Sequence, residues 1–125
     1  MRFGYSDDLP TAGMILPILV GGIESDHVRV VQSLVDTGAD VSAVPEDLRI
    51  ELGLQPRGRF SCRWGCDREA KYLPTYCVHV SLGVGGPIEL EVVSTAGRYF
   101  LLGRDALNEF ILLANGPGRF FELSK

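Results

Sequence analysis

Short apolar runs alternate with polar turns along the whole chain, and no run is long. Met14–Val20 is apolar and predicts a strand, with Pro17 marking an edge position or a bulge. Gly21-Gly22 turns the chain, and Val28–Val35 (VRVVQSLV), rich in β-branched residues, predicts a second strand. Val41–Val44 is again largely apolar. Pro45 suits the first turn of a helix running to about Leu52, and Gly53 suits its stop. Phe60–Tyr76 predicts a long hairpin turning at Cys62-Arg63-Trp64-Gly65-Cys66. A three-residue loop there would set the two cysteines opposite each other, within bridging distance. Cys77–Leu82 and Ile88–Val93 both alternate, with Gly83-Val84-Gly85-Gly86 as the turn between them and Glu89 and Glu91 on one face. Phe100-Leu101-Leu102 is a short run of buried type ending at Gly103. Arg104–Phe110 predicts a short helix, Ile111–Ala114 is apolar, Asn115–Gly118 turns, and Phe120–Leu123 predicts a last strand. Residues 1–12 mix polar and aromatic types and read as an N-terminal arm or edge segment. Many short strands with one or two short helices predict a mostly β, barrel-like fold, a single domain over residues 1–125.

Composition narrows the function classes. The 125 residues suffice for one core. Sixteen acidic residues against twelve basic ones give a net charge of -4, which leaves no basic stripe for phosphates, so no nucleic-acid partner is expected. Met14–Val20 is too short to span a membrane. It also follows Asp7 and Asp8 where a signal peptide carries positive charge. The expectation is a cytoplasmic protein with no membrane partner. Cys62, Cys66 and Cys77 leave one thiol over in any pairing. With His79 they do not match zinc-site spacings, so neither metal nor cofactor is expected. No Gly-x-Ser-x-Gly occurs. Cys77 and His79 share a strand face and read as packed strand residues. Gly83–Gly86 precedes Pro87 and a strand, which makes it a hairpin turn and not a phosphate loop.

Leu34-Val35-Asp36-Thr37-Gly38-Ala39-Asp40 carries a different signal. It resembles the active-site segment of the retropepsin-like (retroviral-type, single-domain) aspartic proteases: two apolar residues, then Asp-Thr-Gly-Ala-Asp. Leu101-Leu102-Gly103-Arg104-Asp105 resembles that family's later segment, which opens a short helix, and Phe60–Tyr76 takes the place of its flap hairpin. The resemblance covers roughly residues 14–123.

What this implies is a closed small β-barrel of the retropepsin type and a homodimeric aspartic endopeptidase acting on a peptide or protein substrate. Two carboxylates held together can share one proton and serve as base and acid. The chain has one Asp-Thr-Gly, so Asp36 would meet Asp36 of a second copy on a two-fold axis. The resemblance gives Thr37, Gly38, Gly103 and Arg104 supporting roles. It gives Gly38, Ala39, Asp40, Trp64, Gly65 and Leu101 to substrate binding, with Leu101 walling the pocket beside the scissile bond. It also implies a partly buried Asp40–Arg104 ion pair beneath the cleft. Phe120, Phe121 and Leu123 are the expected dimer contact. The chain departs from the retroviral pattern at the flap tip, where Arg63-Trp64-Gly65 replaces a Gly-rich apolar segment. The rival reading is a non-catalytic dimeric module of the same fold that holds a peptide or partner in its cleft.

Overall fold

The computed structural model describes residues 1–24, 26–64, 66 and 69–125. Among these, ten strands and two short helices follow in order: β1 (Arg2–Gly4), β2 (Ile15–Gly22), β3 (Val28–Val35), β4 (Ala43–Pro45), α1 (Glu46–Glu51), β5 (Gly58–Cys62), β6 (Lys71–Ser81), β7 (Ile88–Thr95), β8 (Phe100–Leu102), α2 (Arg104–Leu107), β9 (Ile111–Asn115) and β10 (Phe120–Ser124). No helix among the described residues is long and apolar enough to cross a membrane.

Six strands close a barrel in the order β2-β3-β8-β4-β7-β6, and pairing of β6 with β2 completes the ring. Alternation drives it. Leu16, Ile18 and Val20 of β2 point inward and are at most 2% exposed, while Pro17 and Leu19 face out. The β2–β6 pairing reaches only as far as Leu19, so Pro17 has β3 as its one neighbour and its missing N–H is tolerated there. Leu90, Val92, Val78, Val80, Phe100 and Leu102 fill the interior from the other strands. The buried Ser33 hydroxyl donates to the Leu16 carbonyl at 2.8 Å, which satisfies an otherwise costly polar group. Helix α1 starts after Pro45 and is followed by Gly53 at φ +64°, a conformation that favours glycine. The helix contributes Leu48 to the core, and the chain after it adds Leu52 and Leu54.

Strand β6 is longer than the predicted hairpin arm and serves two structures. Residues 71–75 pair with β5, whereas residues 76–80 pair with β7 and 78–81 with β2. Cys77–Leu82 is therefore mostly a continuation of the hairpin strand rather than a separate element. The β5–β6 ladder projects from the barrel as a flap. Its register sets Cys62 opposite Lys71 and not opposite Cys66, the pairing the expected three-residue turn requires; Gly65 of that turn lies outside the described residues.

The two chain ends meet in a second sheet, ordered β1-β10-β9. Met1 and Leu123 exchange two bonds: the terminal amine donates to the Leu123 carbonyl at 2.7 Å, and the Leu123 N–H donates to the Met1 carbonyl at 2.8 Å. Phe3 stacks on Phe121 with ring centroids 5.2 Å apart, and Arg2 pairs with Glu122 at 2.6 Å. Phe121 and Leu123 are fully buried within the protomer. They are thus core residues and not the dimer contact expected for them, because this terminal sheet packs its inner face on the barrel.

Candidate active site

Strand β8 lies between β3 and β4. It runs parallel to β3, with Leu34 opposite Leu101 and Val35 opposite Leu102, and it meets β4 through Ala43 opposite Leu101. Both loops that leave the inner strands therefore emerge side by side. The Asp36 N–H donates to the Leu102 carbonyl and the Arg104 N–H to the Ala39 carbonyl, at 2.9 and 2.8 Å. Gly103 sits where the loops cross. A Cβ there would lie 2.9 Å from the Ala39 carbonyl oxygen and 2.9 Å from the Val41 carbonyl carbon, so only glycine fits without displacing backbone.

The Asp36 side chain is oriented from within its own loop. Gly38 N–H donates to its Oδ1 at 3.0 Å, and the Ala39 N–H donates to its backbone carbonyl at 3.2 Å. Asp36 is half-buried. Arg104 braces the loop from the second segment: its Nη1 donates to the Thr37 carbonyl at 2.8 Å, and its Nη2 contacts the Asp40 carboxylate. That ion pair forms between the expected residues. It is not partly buried, however, since the Arg104 and Asp40 side chains are 46% and 81% exposed.

A buried clamp beneath the loop was not anticipated from the sequence. Ser42 Oγ donates to Asp105 Oδ1 at 2.7 Å and accepts the Gly103 N–H at 2.9 Å, while the Ser42 N–H donates to Asp105 Oδ2 at 3.0 Å. Asp105 also caps the Ala106 N–H at 2.9 Å. The available signal was a small hydroxyl residue on the way into an apolar strand, together with an acid in the first turn of a helix.

An open cleft of about 530 Å³ joins this loop to the flap. Asp36, Gly38, Ala39 and Asp40 line it from the loop, and Cys62, Arg63, Trp64 and Ala70 line it from the hairpin. Val41, Val93 and Ser61 complete the wall. Trp64 is 37% exposed and so presents a large apolar surface to the cleft. Gly65 lies outside the described residues. Leu101 does not line the cleft; it is held between Leu34 and Ala43 in the strand layer. Thr37, Gly103 and Arg104 support the loop from outside the cleft. Burial pushes the Cys62 thiol up from its ordinary pKa, which disfavours the thiolate a nucleophile would need. Cys62, Cys66 and Cys77 are all free thiols.

No protein-family model and no curated protein sequence matches the chain. Solved structures do. A retropepsin-like aspartic protease from Rickettsia conorii superposes with a TM-score of 0.64 at 17% identity, covering 98% of this chain and 88% of that one. The chain has the retropepsin-like fold. The EIAV protease in complex with the inhibitor HBY-793 gives a TM-score of 0.57 at 19% identity, over 83% of this chain and 92% of that one. The retroviral protease-like domain of Ddi1 from Leishmania major gives 0.52 at 17%, over 87% of each chain. The retropepsin-like fold explains why the two short motifs, 60-odd residues apart in sequence, are adjacent: β8 is threaded beside β3.

Proposed function

We propose that the chain is a homodimeric aspartic endopeptidase in which each active site takes Asp36 from both copies. The observation that carries this reading is a half-buried carboxylate at an open cleft, oriented by the Gly38 N–H and braced by Arg104, with a flap hairpin across from it. One protomer offers a single such carboxylate. Its pairing with a second one on a two-fold axis gives the acid and the base that amide hydrolysis needs. An ionised Asp36 removes a proton from water as the oxygen attacks the scissile carbonyl carbon, and the protonated Asp36 donates to the carbonyl oxygen. The tetrahedral adduct then collapses: the departing nitrogen takes a proton from one Asp36 as the C–N bond breaks, and a hydroxyl of the adduct returns its proton to the other, which restores the singly protonated dyad. Like charges held this close cannot both ionise, as is general for aspartic-protease dyads.

The substrate is an extended peptide. Gly38 leaves the loop backbone open to it, and Ala39, Val41, Val93 and Trp64 favour apolar side chains near the scissile bond. The reaction draws on no cofactor. We place the protein in the cytoplasm, a setting consistent with its three free thiols. Incubation with a mixed peptide library at roughly pH 4 to 7 should give cleavage that a statine-type inhibitor blocks and Asp36→Asn abolishes. If Asp36→Asn retains full cleavage, the protease reading fails. If neither form cleaves but both bind peptide, the protein is a binding module.

A further inference from the structure

We infer that Arg63 on the flap selects the substrate: the peptide that fits this cleft carries an acidic side chain close to the apolar residue that Trp64 covers. The inference rests on the protease reading above and names the substrate class for that same site. Arg63 is the first residue after β5, so the last pair of the flap ladder, Cys62 with Lys71, anchors it beside the cleft. It is exposed, and it lines from the flap the same cleft that Asp36 lines from the loop. Arg2, Arg29, Arg49, Arg57, Arg104 and Arg119 each meet a carboxylate of the chain. Among the described residues no carboxylate pairs with Arg63, and no other cation lines the cleft.

The other charges of the cleft are consistent with this role. The Asp40 carboxylate is met by Arg104, and two Asp36 carboxylates on an axis share one proton. The charge left on that dyad repels an anion at the scissile bond itself, so the acidic residue belongs one or more positions away, under the flap cation. A guanidinium takes a carboxylate through two parallel N–H···O bonds, a match that neither a neutral nor a basic substrate side chain can make. Field and contact agree. Residues 57–71 carry five basic side chains against two acidic ones in a chain of net charge -4, so the flap is a basic element on an acidic protein. Trp64, next in sequence, supplies the apolar contact beside the charged one. A two-fold dimer brings two copies of Arg63, so acidic residues are selected on both sides of the scissile bond.

Peptide triplets that differ only by Glu, Gln or Lys, placed in turn at each position flanking an apolar pair, test this. Wild-type kcat/KM should favour Glu over Gln by about 10-fold at one or more positions, and disfavour Lys. Asp36→Asn leaves the peptides intact, and Trp64 is the one tryptophan of the chain, so its fluorescence reports their arrival at the flap. The same triplets should show about the same preference in binding to that variant. Adding Arg63→Gln to either form should bring the Glu-to-Gln ratio within about twofold of unity, and Arg63→Glu should turn the preference toward Lys. Each ratio compares peptides on one enzyme, so losses of stability or of overall turnover cancel. Arg59→Gln, on the flap but outside the cleft, should keep the preference. No preference for Glu at any position, or a preference that survives Arg63→Gln, would overturn the inference. Cleavage without charge preference removes the role of Arg63 and leaves the protease. Charge-selective binding without wild-type cleavage keeps that role and removes the protease, and peptides neither bound nor cleaved remove both.

Discussion

Gly103→Ala probes the crossing on which the site depends. The added Cβ would sit 2.9 Å from the Ala39 oxygen, 2.9 Å from the Val41 carbonyl carbon and 3.0 Å from the Val41 oxygen. All three are backbone atoms, so no side chain can rotate out of the way. Gly103 itself is buried, has ordinary extended φ and ψ (-88°, -176°), and gains no relief from a change of conformation. The strain therefore resembles overpacking of a core and should cost about 2–3 kcal/mol. For a domain of this size that lowers Tm by roughly 6–12 °C. Relief requires the Ala39–Val41 backbone to move away from β8. That motion stretches the Arg104–Ala39 and Asp36–Leu102 bonds and displaces the Asp36 loop. Urea unfolding should show a lower midpoint with an unchanged slope. Peptide cleavage measured well below the new Tm should still lose kcat, because the carboxylate has moved in a protein that remains folded. A variant within about 0.5 kcal/mol of wild type would refute the steric reasoning. A destabilised variant with unchanged kcat would refute the link to Asp36.

Arg104→Ala should cost only about 1 kcal/mol in thermal or urea unfolding, because its partner Asp40 is largely solvated; a loss above about 3 kcal/mol would mean that the pair is buried in the assembled protein. Glu46 accepts bonds from Arg49, chiefly, and from Ser94, and these lower its pKa from 4.5 to about 2. A carboxylate depressed on folding stabilises above its ordinary value, and the stabilisation is lost as pH falls through the folded value. The melting temperature should therefore drop between about pH 5 and 2, and Glu46→Gln should flatten that limb; an identical limb in the variant would remove Glu46 from the account. Since Cys62 faces Lys71, air oxidation should leave three titratable thiols per chain and cleavage unaffected by reductant; a Cys62–Cys66 bridge found by mass spectrometry would contradict the flap register.

The barrel was largely legible because period-two alternation and glycine turns mark its strands; Val28–Val35 and Phe100–Leu102 have the bounds read from sequence. The pairing of Cys62 was misread because a glycine beside Trp64 is a turn signal wherever it falls, whereas the register sets Cys62 opposite Lys71, where strand propensity resumes. β1 was read only as part of an arm or edge segment, because three residues carry no periodicity and its partner lies almost the whole chain away. Asp36 and Arg104 were found through their motifs. Ser42 was not, since a buried hydroxyl becomes recognisable only when its carboxylate partner, 63 residues on, is in place. Exposure was the least legible property: the Asp40–Arg104 pair was identified, but its solvation depends on the open cleft around it.

Mixing wild type with Asp36→Asn tests the shared active site most directly. Chains are combined in varied ratio at fixed total concentration, equilibrated, and assayed on one cleavable peptide. If every site needs Asp36 from both copies, activity follows the square of the wild-type fraction, and an equal mixture retains about one quarter. Activity falling in direct proportion to the wild-type fraction would show that one chain's Asp36 suffices, and would contradict the two-carboxylate mechanism.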